Sequence, residues 1–72
     1  MSITAINTRN QFRGSIVGIK RGEIVSEVEI ETAAGVVGAI VTSSSIDSLS
    51  LRIGDEALAI FKATEVLVAK LG

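Results

Sequence analysis

The sequence predicts an all-β domain with one short helix, in the order β-β-β-α-β-β. Ile and Val supply 18 of the 72 residues and Thr another five. Branching at Cβ stiffens χ1 and favours strands. Seven glycines are spread along the chain, and several fall between these apolar runs, where they permit tight turns. Only the serine-rich stretch 42–49 breaks the pattern with a helical spacing.

The first strand is expected over residues 11–20, where Ser15, Val17 and Ile19 alternate with Ile16, Gly18 and Lys20. A turn follows at Lys20-Arg21-Gly22-Glu23. The second strand, residues 23–32, alternates cleanly, with Ile24, Val28 and Ile30 on one face and Glu27, Glu29 and Glu31 on the other. Three carboxylates at this spacing read as a solvated sheet face. A cation site is the alternative, but hard cations want ligands converging from several elements. Ala33-Ala34-Gly35 forms the next turn, and the third strand covers residues 36–42. It is apolar on both faces, as are the fourth around Ala57, Leu58, Ala59, Ile60 and Phe61 and the fifth at Val66, Leu67, Val68 and Ala69. Strands apolar on both faces belong inside something. Between the third and fourth strands, Ser44 and Asp47 have the spacing of a capping box, and Ile46 and Leu49 lie three apart on one helical face. Gly54 then sits in the turn before the fourth strand. Five short strands with one small helix fit an OB-like barrel.

Composition narrows the function. Residues 1–72 are expected to form a single domain, with 1–6 as an N-terminal arm. The chain has no Cys, His, Pro, Trp or Tyr. Thiolate chemistry, a disulfide framework and the commonest general base and metal ligand are therefore missing. No apolar run approaches the roughly 20 residues needed to span a bilayer, and MSITAINTRN has no signal-peptide pattern; a cytoplasmic location is expected. The net charge of -1 argues against nucleic acid as the main partner. A domain this small is marginal alone. With no disulfide or common metal site to help, oligomerisation is the remaining support, and the second apolar faces agree with it.

Catalysis is not expected. Lys20, Lys62 and Lys70 are the only candidate bases for a serine nucleophile, and none lies in a nucleophile motif. Three segments are instead rich in donors and poor in carboxylates: Asn7-Thr8-Arg9-Asn10-Gln11, Thr42-Ser43-Ser44-Ser45 and Lys62-Ala63-Thr64. The second lies at a predicted helix start, where free N–H groups favour an anion. Arg and Lys supply charge, while hydroxyls and amides supply orientation. Each segment also has a plain structural reading: a polar arm, a helix cap, a solvated turn. Spacing alone leaves both open.

The same segments resemble the molbindins, small cytoplasmic molybdate-binding proteins built of a single TOBE-type (Mop) domain. The likeness rests on Asn7-Thr8-Arg9-Asn10-Gln11-Phe12-Arg13-Gly14, Ile19-Lys20-Arg21-Gly22, the run from Ile40 through Thr42-Ser43-Ser44-Ser45 to Gly54, and Lys62-Ala63-Thr64-Glu65-Val66. It covers residues 7 to about 70 in one order and spacing. It implies an OB-like fold assembled as a hexamer, a trimer of dimers, with molybdate or tungstate held at subunit interfaces. By the family pattern Asn7, Thr8 and Arg9 would meet Lys62 and Ala63, with Thr42 and Ser45 coming from another chain. The departure is at Asn7 and Thr8, where the family commonly has Ser and Ala. The implied role is molybdenum storage, buffering or delivery, without a catalytic cofactor. Two other readings use the same fold: an assembly module without an oxyanion, and a single-strand nucleic-acid binder. The second would need aromatics in a basic groove, and the chain has two Phe and an acidic strand.

Overall fold

The structure is a computed structural model and describes Asn7 and residues 9–72. The expected N-terminal arm and Thr8 lie outside the described residues. Among those described, the elements run β1 (Asn10–Lys20), β2 (Val25–Thr32), β3 (Gly35–Thr42), α1 (Ser43–Leu49), β4 (Glu56–Phe61) and a single 3₁₀ turn (Ala63–Glu65). The four strands form one antiparallel sheet in the order β3-β2-β1-β4, curled into a half-barrel.

β1 serves both halves of the sheet. Its first half pairs with β4, from Asn10 opposite Phe61 to Ser15 opposite Glu56. Its second half pairs with β2, from Gly14 opposite Thr32 to Lys20 opposite Glu27. The register shifts between Ile16 and Gly18, so Val17 is the extra residue of a bulge. A bulge bends its strand and increases twist, which curls the sheet here. It also corrects the expected alternation: Ile16 and Ile19 both turn inward, opposite Ile30 and Val28, and Val17 faces solvent. Gly14 is required where β1 passes β2, because a Cβ there would run into the Glu31 carbonyl oxygen.

β2 keeps its predicted faces with one change. Glu27, Glu29 and Glu31 face outward opposite Ile40, Gly38 and Val36. Ser26, Val28 and Ile30 are buried. Ile24, expected inward, precedes the strand and is 76% exposed; Ser26, on the same face as Val28 and Ile30, is buried with its hydroxyl hydrogen-bonded to Ser43. Gly35 turns the chain into β3 at φ 117, a conformation that favours glycine. The core is Ile16, Val28, Ile30, Ala59 and Ile46, the last contributed by α1.

The helix cap lies two residues before the expected one. Thr42, not Ser44, is the N-cap, and its Oγ1 accepts from the Ser45 N–H at 3.2 Å. Asp47 does not cap but bonds Arg21 of the β1–β2 turn. At the other end Ser50 adopts φ 52 and ψ 44 while its N–H closes the helix on Asp47 and Ile46 carbonyls. A left-handed residue with a Cβ is strained, and glycine is not. Ser50→Gly should therefore raise stability by up to about 1 kcal/mol after the entropy of glycine is subtracted. Urea midpoints at matched protein concentration would show it, and a midpoint below the parent's would contradict the strain.

The expected fifth strand, Val66 to Ala69, is not formed within this chain. Residues 66–72 are assigned to no strand, and Leu67, Val68 and Leu71 are 94%, 94% and 92% exposed. The apolar pattern is that of a strand, but the segment meets no edge of its own sheet. β3 and β4 remain edge strands, and Val36 and Ile40 of β3 are exposed.

Candidate anion-binding site

The last pair of the β1–β4 ladder is Asn10 with Phe61. One residue beyond it lie Arg9 and Lys62, so the antiparallel register brings together two cations 53 positions apart in the chain. Lys62 is extended, at φ -76 and ψ 140, and the 3₁₀ turn closes after it with Glu65 N–H on the Lys62 carbonyl at 2.9 Å. This geometry makes an open concavity lined by Asn7, Arg9, Asn10, Lys62, Ala63 and Thr64. Its volume is about 580 Å³, far more than one small oxyanion fills, so a single chain forms a cradle rather than a closed site. No carboxylate and no aromatic ring is among the described lining residues. Two cationic side chains, amides and a hydroxyl suit an anion that carries no proton.

Four of the seven expected site residues therefore gather here: Asn7, Arg9, Lys62 and Ala63. Asn10 and Thr64 join them. Both lie in the donor-rich segments noted in the sequence, but only the register reveals that those segments meet.

Thr42 and Ser45 do not line the concavity. Thr42 ends β3 opposite Val25, the start of β2, and β2 starts beside the C-terminal end of β1. The cradle lies at the N-terminal end of β1. β1 is eleven residues long from one end to the other, roughly 30 Å along a strand at ~3.3 Å per residue. At the far end the hydroxyls are tied together: Thr42 Oγ1 lies 2.7 Å from Ser45 Oγ and 3.2 Å from Ser44 Oγ. Beside them Arg21 Nη2 bonds Asp47 Oδ2 at 2.7 Å. That hydrogen bond holds the Asp47 carboxyl below the usual carboxylate range and raises Arg21. Among the described residues no cluster of three or more acidic side chains is arranged to hold a metal ion, and no helix is long and apolar enough to cross a membrane.

The chain is similar over most of its length to small proteins named for molybdenum. Molybdenum-pterin-binding protein 1 of Clostridium pasteurianum is 37% identical over 65 residues, covering 89% of this chain and 96% of the relative. Among solved structures, MopII from the same organism has a TM-score of 0.86 at 34% identity, covering 92% of this chain and all of that one. A molybdate-binding protein from Sporomusa ovata also has a TM-score of 0.86, at 28% identity, covering 93% of this chain. The TOBE domain family model matches residues 6–68. On this match and these likenesses, the chain belongs to the TOBE domain family, alongside the small proteins named molybdenum-pterin-binding.

Proposed function

We propose that the protein binds molybdate, without catalysis, at interfaces between copies of itself, and that it stores or buffers the oxyanion in the cytoplasm. The cradle carries the reading: Arg9 and Lys62 are placed side by side over a surface lined by donors. Thr42 and Ser45 lie at the opposite end of β1, so a site combining both sets takes them from two chains. That arrangement supports the interface location implied by the family resemblance. Tungstate, alike in size and charge, fits the same donors. An oxyanion suits the lining better than a pterin does, because no described lining residue offers a ring to stack on.

The apolar segment 66–72 supports assembly. Its exposed Leu67, Val68 and Leu71 and the edge strands β3 and β4 are complementary defects. A strand donated by a second copy would cover both and complete a five-stranded barrel. A hexamer, the trimer of dimers of the family resemblance, is the expected assembly. A ligand bound only by the oligomer stabilises it by mass action.

Native mass spectrometry with molybdate, and with sulfate as control, tests the reading. A hexamer that gains a fixed number of molybdates but no sulfate is expected. A hexamer indifferent to molybdate would leave an assembly module without an oxyanion. In the same experiment Leu67→Asp should shift the protein to monomer, because a carboxylate cannot be covered in an apolar edge contact. A Leu67→Asp hexamer would rule out the donated strand.

A further inference from the structure

Ser26 and Ser43 are not among the seven expected site residues, and each is only 3% exposed. Ser43 Oγ donates to the Gly22 carbonyl at 2.7 Å. Its one hydrogen is thereby committed, so Ser26 is the donor in the 2.6 Å contact between the two hydroxyls. Ser26 Oγ accepts in turn from the Gly22 N–H at 3.2 Å. The result is a closed ring from the Gly22 N–H through Ser26 and Ser43 to the Gly22 carbonyl. Each bond in such a ring polarises the next, and burial raises the cost of breaking one.

The ring joins three elements: the β1–β2 turn, β2 and the first residue of α1. Two more bonds join the same turn to α1. Ser43 N–H donates to the Ile24 carbonyl at 2.8 Å, and Arg21 pairs with Asp47 at 2.7 Å. The turn and the start of α1 are thus one block. Thr42 and Ser45 stand one residue before and two residues after Ser43, and they ride on it. Both ring hydroxyls have spent their hydrogens internally, so neither is an anion donor. Asp47 lies two residues beyond Ser45, where a bare carboxylate would repel a dianion; Arg21 offsets that charge.

We infer that Ser26, Ser43 and the Arg21–Asp47 pair are positioning residues for the oxyanion. The ring sets where the Thr42 and Ser45 hydroxyls stand, and Arg21 masks the carboxylate beside them. The inference rests on the molybdate reading above. It is tested by calorimetric titration of the full-length protein with molybdate, well below the melting temperature, in low and high salt. Ser26→Ala should weaken binding about tenfold, the lower end of what supporting partners of ligating groups cost, and Ser26→Thr, which keeps the hydroxyl, should restore it. Arg21→Ala should weaken binding more in low salt than in high salt, because screening hides the exposed Asp47 charge. Adding Asp47→Asn to Arg21→Ala should recover the loss. A purely structural role would lower the melting temperature and leave affinity and its salt dependence unchanged; that result overturns the inference. If Ser26→Ala does not fold, the exposed Arg21 and Asp47 variants decide it. A parent protein that binds no molybdate removes the underlying reading and the inference with it, whereas a binding parent with unaltered variants removes the inference alone.

Discussion

Ile16→Ala should remove a large part of the folding stability, at the extreme all of it. Ile16 is 1% exposed, opposite Ile30 at the end of the regular β1–β2 ladder. Truncating a buried isoleucine to alanine costs about 2–5 kcal/mol, from lost transfer energy and the cavity left behind. A chain of 72 residues has roughly 4–11 kcal/mol of total stability at ~0.05–0.15 kcal/mol per residue. The substitution therefore removes between a fifth and the whole of it. Neighbouring backbone cannot close the cavity cheaply, because Ile16 N–H and C=O are already bonded to the Asp55 carbonyl and the Gly54 N–H at 2.9 and 2.8 Å. Ile24→Ala is the control: Ile24 is 76% exposed, and its loss should change stability by no more than about 0.5 kcal/mol. Urea unfolding at one fixed protein concentration would compare them. Equal midpoints for the two variants would mean that the core is not where the structure puts it.

Arg9→Ala and Lys62→Ala should each weaken molybdate binding by about one to two orders of magnitude. A hydrogen bond to a charged group contributes about 1.5–3 kcal/mol, and the anion has no other cationic side chain in the described cradle. Folding should survive both changes, since the side chains project from the ends of strands and are exposed. Removing either one relieves the repulsion between two like charges brought together by register. Arg9→Lys separates charge from shape: it keeps the cation but loses the planar fork, so affinity should fall less than with alanine. Titration calorimetry with molybdate, and sulfate as competitor, would measure all three. Parent-like affinity in both alanine variants would sink the assigned site.

Much of this fold is legible in the sequence because burial is written at period two. The alternation in β2 places Val28, Ile30 and the three glutamates on their observed faces without further help. Helix formation after β3 is equally legible, although the cap is not: four consecutive hydroxyl residues, Thr42 to Ser45, can each cap, and the choice depends on where β3 stops pairing. The bulge at Val17 has no local signature, because any strand residue can be left unopposed, so the face of Ile19 is misread. Ile24 is misread for a different reason: hydropathy extends the alternation back to it, while the strand starts only at Val25. The fifth strand is legible as an apolar segment, but residues 66–72 add no strand to this chain's own sheet. Pattern reports what a segment needs to bury, not which chain provides the cover. The site divides in the same way. Its donor types are visible in three segments, but the meeting of Arg9 with Lys62 is a property of strand register, and the remoteness of Thr42 and Ser45 is a property of the length of β1.

Glu27, Glu29 and Glu31 stand in a row on the outer face of β2, flanked by the exposed apolar Val36 and Ile40 of β3. Among the described residues only Lys20 forms an ion pair with the row, 4.0 Å from Glu27. Two copies meeting face to face would set carboxylates against carboxylates as their apolar flanks came into contact. That collision is the one that would stack sheets without limit, and charge makes it unproductive. Encounters along sheet edges and through the C-terminal segment meet no such barrier. The acidic row thus opposes open-ended stacking of this face in concentrated solution and leaves unopposed the edge contacts that the proposed assembly would use.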